Sequence, residues 1–255
     1  MLGETEKSHK KLGRLYSAQR TISDTLQEAI LISPQKIEGI SFGHIYHSAT
    51  EATKIGGDFY DIFEMEHDKV GIMVGDVSGK GLEAAAVTSL VKNTVKAYSY
   101  EETSPALILK KADRVLRKGI DTSCFITLFL GILDTKTGNL IYCSGGHPPA
   151  IIKRANSDIS LLATSSGPIG ILPEPEFIDE RQTLKRGDIL VLYTDGITEA
   201  RRGRAFFGEE KLVNLLTRLK EPSVKKLPRL IFNEVIDYTE GTLQNDVVLL
   251  TVALK

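Results

Sequence analysis

Four aspartates, each at the edge of an apolar run, constrain this chain more than any other feature. Residues 56–81 read GGDFYDIFEMEHDKVGIMVGDVSGKG and hold two strand-like runs, 59–65 and 70–74. Asp58 follows Gly56-Gly57, and Asp76 follows Gly75. A third acid recurs in Thr194-Asp195-Gly196 and a fourth in Asn245-Asp246. Glycine lets the backbone turn sharply beside an acid, so the carboxylate can project past a sheet edge. Acids at several strand ends therefore predict one carboxylate cluster at one rim of a sheet. Like charges so gathered repel and need cations, and hard divalent ions with oxygen ligands fit best. Two such ions, about 4 Å apart, could activate water for in-line attack on phosphorus without a Ser or Cys nucleophile. The chain has no G-x-S-x-G element.

Each acid also has a plainer reading. Asp76 could cap the helix that follows it, and Asp195 could open a turn. Recurrence at three glycine-framed strand ends, with a fourth candidate, favours a site. Strand alternation puts Asp58 and Asp61 on opposite faces. Asp58 is thus the expected ligand, with Asp61, Gly57, Gly79 and Gly81 in supporting roles. GDVSGKG is not a phosphate-binding P-loop, because only three residues separate Gly75 from Gly79-Lys80 and Gly81 stands where Ser or Thr is required. GGDFYD starts like the diguanylate cyclase signature but has Phe59-Tyr60 where that motif has Glu-Phe.

The chain has 255 residues and a net charge of -1, enough for one large domain or two small ones. This balance gives no electrostatic argument for nucleic acid or an anionic membrane. The start is polar and charged, unlike a secretory signal, and no apolar run is long enough to span a bilayer. Cys124 and Cys143 lack C-x-x-C spacing and read as reduced core residues, so a cytoplasmic protein is expected.

Residues 8–32 carry Leu12, Leu15, Gln19, Ile22, Leu26 and Ala29 at alternating spacings of three and four, and Pro34 ends the pattern. This predicts an amphipathic helix, either packed on its own domain or dimerising and relaying a signal. Expected strands cover 37–49, 124–133, 140–143, 150–153 and 247–254, with 177–184 and 188–194 forming a further pair. Helices are expected over 81–98, from Ser104-Pro105 to about 118, and over 207–219 and 223–238. His147 in Gly145-Gly146-His147-Pro148-Pro149 is expected to fix its loop. Helix pairs alternating with strand blocks predict an α+β fold with helices outside a two-sheet core.

Taken together, these motifs resemble the bacterial metal-dependent serine/threonine phosphatases of the sporulation stage II E type, relatives of the type-2C phosphatases. The match runs from about residue 26 onward. It rests on GGDFYD at 56–61, GDVSGKG at 75–81, GGHPP at 145–149, GPIG at 167–170, GD at 187–188 and YTDGITEAR at 193–201. The resemblance implies a four-layer αββα sandwich over 36–255, preceded by a linker or dimerisation helix over 1–35. It implies two Mn2+ or Mg2+ ions and hydrolysis of phosphoserine or phosphothreonine on a small regulatory partner of the anti-sigma-factor antagonist type. Activation by a further protein, homodimerisation through the preceding helix, and a place in stress-response or sporulation signalling are also implied. By motif, Asp58 is a ligand of one ion, Asp76 bridges both with the Val77 carbonyl beside it, and Asp195 serves the second.

The family's last motif is Asp-Asp, one residue, then Thr; its first Asp is a ligand. Here Asn245 and Asp246 stand there, with Val248 for the Thr. Either Asn245 binds one ion more weakly, or Asp246 takes over. Two other activities fit this departure: a weakly active phosphatase-fold module that binds its partner, and a small-molecule phosphohydrolase.

Overall fold

The structure is a computed structural model that describes residues 34–48, 56–121, 124–163 and 166–255. The helix expected over 8–32, its dimerising role and the boundary at residue 35 involve residues outside this set. Two five-stranded antiparallel sheets stack face to face. The front sheet contains β2 (Asp58–Met65), β3 (Lys69–Val77), β4 (Ile126–Asp134), β5 (Asn139–Gly145) and β8 (Glu180–Thr183), side by side in that order. The back sheet contains β1 (Ile40–His47), β12 (Val247–Leu254), β9 (Ile189–Tyr193), β6 (Ala150–Lys153) and β7 (Ile159–Leu162), again in that order.

Two helices cover the outside of the front sheet: α1 (Leu82–Ser99) and α2 (Pro105–Gly119). A four-residue helix, α3 (Asp195–Thr198), follows β9, and a small hairpin, β10 (Arg201–Arg202) and β11 (Ala205–Phe206), follows it. Helices α4 (Gly208–Arg218) and α5 (Leu227–Tyr238) cover the outside of the back sheet. This is the αββα sandwich expected from the sequence.

Period-two alternation explains the layering. In β2, Tyr60 and Ile62 face the back sheet, while Phe59 and Phe63 face α1 and α2. Both faces are covered, so β4 reads as a nearly continuous apolar run and β2 is buried over its first six residues. In α2, Ile108, Leu109, Ala112 and Leu116 form the buried stripe. Its start is fixed by the Ser104 hydroxyl, which accepts from the Leu107 N–H at 3.2 Å.

One sequence expectation is corrected. Segments 177–184 and 188–194 do not pair with each other. The first contributes β8 to the front sheet, bonded to β5, and the second contributes β9 to the back sheet, between β12 and β6. The chain changes sheets at Asp188, whose carboxylate accepts from the backbone N–H groups of Lys185 and Ala155. Strand β8 is also shorter than expected: just before it, the Asp179 carboxylate accepts from the Ser104 hydroxyl and the Ala106 N–H at the start of α2. Strand β7 and the 201–206 hairpin were not anticipated.

The topology places one set of strand termini at a single end of the sandwich. There β2 begins, β3 ends, β4 begins, β5 ends, β9 ends and β12 begins.

Candidate active site

At that rim, Asp58 of β2 lies directly opposite Asp76 of β3, and Asp76 lies directly opposite Thr127 of β4. The three side chains form a row across the front sheet, because laterally paired residues share a face. From the back sheet, Thr194 at the end of β9 donates its hydroxyl to Asp58 Oδ2 at 2.6 Å. The Thr194 hydroxyl itself accepts from the Val248 N–H at 2.9 Å. Asp195 follows at once, as the first residue of α3.

Asp246, just before β12, brings the fourth carboxylate. Its Oδ1 accepts from the Ser48 hydroxyl at 3.0 Å. Its Oδ2 lies where a Cβ on Gly56 would stand, and its backbone carbonyl lies against Gly196. A Cβ on Gly57 would overlap the Val77 carbonyl and press on Asp76 Oδ1. The glycines beside the acids thus permit close approach of the site's own oxygen atoms. Gly79 and Gly81 have positive φ and open space around them, and they turn the chain from β3 into α1.

The electrostatics are those of crowded anions. Burial pushes the Asp58 carboxyl well above the usual range; the charge of Asp76 adds to this, the Thr194 hydrogen bond opposes it, and Asp246 and Asp195 push it further. Burial and then the charge of Asp195 raise Asp76 to about 7, against a hydrogen bond with Asp58 and the positive charge of Lys80. Burial, then Glu199, raises Asp195. Burial and the nearby charge of Asp246 raise Tyr46, whose hydroxyl accepts from the Gly56 N–H at 3.2 Å.

Asp58 and Asp76 thus feel acids delivered by both sheets at one rim. The four acids are not closed on a common point: among the described residues, no three His, Cys, Asp or Glu side chains stand ready to hold an ion. The donor set nonetheless suits hard divalent cations. It offers only oxygens, crowds anionic groups with one exposed lysine nearby, and is framed by glycines that leave no side chain between them.

Asp61 faces the other way, as alternation requires. It is buried against α1, with Lys92 Nζ at 3.8 Å and Lys96 Nζ at 3.6 Å. One turn earlier, the Thr88 hydroxyl donates to the Gly57 carbonyl at 3.3 Å. Residues 88, 92 and 96 are four apart and share a helix face, so Asp61 fastens α1 behind the row. Asn245 is half-buried beside Asp246.

Sequence reasoning missed Thr194 and the partners of His147. The available signal was a polar residue at the end of a buried apolar strand, since such a group must find a partner. His147 is buried, with Nδ1 at 3.0 Å from the Thr127 hydroxyl and Nε2 at 3.1 Å from the Tyr193 carbonyl. No described helix is long and apolar enough to cross a membrane. Cys124 and Cys143 are both free thiols.

This sandwich, with acids gathered at one end, is the PP2C fold. It superposes on the SiaA-PP2C domain of Pseudomonas aeruginosa with a TM-score of 0.77, covering 97% of this chain and 99% of that one at 17% identity. Residues 66–255 match the family model of stage II sporulation protein E, and the chain belongs to that family. It is 26% identical over 237 residues to the phosphoserine phosphatase RsbU of Bacillus subtilis, covering 92% of this chain and 69% of RsbU. It is 27% identical over 223 residues to protein IcfG of Synechocystis, covering 76% of this chain and 35% of IcfG. The chain thus spans about a third of one curated relative and about two thirds of the other.

Proposed function

We propose that the protein is a metal-dependent phosphoprotein phosphatase that removes phosphate from serine or threonine on a small regulatory protein of the anti-sigma-factor antagonist type. The observation that carries this reading is the rim itself: four buried or half-buried carboxylates from two sheets, with Asp58 and Asp76 raised by burial and by the charges of the acids around them. Two Mn2+ or Mg2+ ions would be held by Asp58, Asp76, the Val77 carbonyl, Asp195 and Asp246. When bound, such ions supply activated water and polarise the phosphoryl oxygens.

The protein's own residues do the rest. Asp76 lies between the two sheets' acids, in the position suited to serve both ions. Thr194 holds Asp58 by its hydroxyl, fixing which oxygen remains available. Asp246 would supply the charge that Asn245 lacks, which favours turnover over a binding module without it. The family membership and the name of the RsbU relative support phosphoserine as the substrate class.

The test is an assay of a generic phosphate ester and of a phosphoserine protein, each with Mn2+ and with chelator. The expected result is Mn2+-dependent turnover of both, lost in Asp76→Ala while that variant still melts cooperatively. Turnover that survives in Asp76→Ala would overturn the site. Efficient turnover of metabolites but not of phosphoproteins would move the protein to small-molecule hydrolysis.

A further inference from the structure

Two hydrogen-bonded crosspieces join the sheets at the carboxylate rim, one on either side of Asp76. The first is the Thr194 hydroxyl on Asp58. The second is the ring of His147, which spans from Thr127 to Tyr193. A carbonyl oxygen can only accept, so His147 Nε2 carries the hydrogen and donates to Tyr193. Nδ1 is then an acceptor, and the Thr127 hydroxyl donates to it. Burial pushes the ring's pKa down to about 3, against the hydrogen bond to Tyr193, so the imidazole is neutral and its tautomer fixed.

The ring's own position is held independently. Its loop passes from β5 in the front sheet to β6 in the back sheet. Gly146 has φ +69 and donates its N–H to the Ser166 carbonyl at 2.9 Å, and Pro168 fills the place a Cβ would take. The His147 carbonyl accepts from the Ser144 hydroxyl at 3.3 Å.

The two ends of this crosspiece are telling. Thr127 is the lateral neighbour of Asp76 on the same face of the front sheet. Tyr193 is two residues before Asp195 and ends the back-sheet strand that delivers it. The ring therefore spans between the strand beside Asp76 and the strand that carries Asp195.

We propose that His147 is a positioning residue: a neutral crosspiece whose two hydrogen bonds set the spacing between Asp76 and Asp195, so that ion affinity depends on it although it is no ligand. This rests on the two-ion reading above. It gives the GGHPP motif a role in the site. Outer-shell partners of this kind change metal affinity about 10- to 100-fold when removed.

The experiment is calorimetric titration of Mn2+ into the full chain, wild type against Thr127→Val, Thr127→Ser and His147→Gln, with melting of each in chelator. Thr127→Val deletes one hydrogen bond and keeps the ring and its bond to Tyr193. The expected result is a Mn2+ affinity about 10- to 100-fold weaker in Thr127→Val and His147→Gln. Thr127→Val leaves the buried Nδ1 without its donor, so its chelated melting temperature should fall modestly while the chain stays folded, and Thr127→Ser should restore both melting and affinity. In turnover, kcat at limiting Mn2+ should fall while KM for the phosphoprotein holds.

Wild-type affinity in Thr127→Val would overturn the proposal, and that variant decides the matter if His147→Gln does not fold. An affinity loss accounted for by the unfolded fraction alone would assign His147 to the fold and also overturn it. A wild-type chain that binds no Mn2+ would instead bring down the two-ion reading, and this inference with it.

Discussion

The two ends of the sandwich use aspartate in opposite ways. At the far end, Asp188 is buried, and burial alone would raise its carboxyl. The N–H of Lys185, the Arg154 guanidinium at 2.9 Å and the N–H of Ala155 outweigh that and hold it below its ordinary range. Asp134 is likewise held down, first by the N–H of Thr137. At the rim, Asp58, Asp76 and Asp195 are all pushed up. The residue type is the same, and the termini belong to the same two sheets. The far-end acids meet donors and cations and close turns, whereas the rim acids are buried among other acids. Burial alone does not separate a structural acid from a functional one; the compensation around it does.

The largest effect that could break this contrast is at Asp246. Asp246→Ala should lower Mn2+-dependent turnover about 100-fold or more, equivalent to roughly 3 kcal/mol of lost transition-state stabilisation. Its paired control, Asn245→Asp, should change turnover by no more than about twofold if Asp246 holds the fourth position. Steady-state kinetics on both variants checks this, and the reverse pattern would return the fourth ligand to position 245.

Next is Asp188→Ala, which leaves Arg154 without its carboxylate and two N–H groups without their acceptor. It should cost about 3 kcal/mol in denaturant unfolding while leaving turnover per folded molecule intact. A stable but inactive Asp188→Ala protein would erase the distinction between the two ends.

The smallest effect is in pH dependence. In chelator, the rim carboxyls have folded pKa values above their ordinary 3.8. Their contribution to stability is full below that value and is lost as pH rises through about 7, the folded value of Asp76. The slope is at most about 1.4 kcal/mol per pH unit for each group. Asp188 and Asp134 have the opposite sign: their contribution is present above the ordinary value and is lost as pH falls below it. Melting temperature in chelator should therefore fall as pH rises from about 5 to about 8, and saturating Mn2+ should flatten this limb. A chelated profile that is level across the window would mean that neither burial nor neighbouring charge raises the rim carboxyls.

Local pattern carried much of this molecule. Alternation in 58–65 separated Asp58 from Asp61, and the structure puts them on opposite faces. Helices α1 and α2 follow from their apolar spacing and from Ser104-Pro105. Strand partnership was not legible, because Asp188 sends neighbouring segments into different sheets by hydrogen bonds that no periodicity encodes. The crosspieces were hidden for a related reason. Thr194 meets Asp58 across 136 positions, and His147 meets Tyr193 across 46. A lone threonine or histidine in a motif gives no local sign of such a partner. Likewise, the choice between Asn245 and Asp246 depends on where β12 enters the sheet.

That entry has a temporal consequence. Strand β12 lies between β1 and β9 in the back sheet, pairs with both, and sets Asp246 against Gly56. Contacts so distant along the chain carry a high closure entropy and form late. A chain emerging from the ribosome can form the β2–β3 hairpin early, with Asp58 opposite Asp76. It has no fourth carboxylate until β12 is inserted between β1 and β9 of the other sheet. Assembly of the four-acid rim thus coincides with completion of the fold.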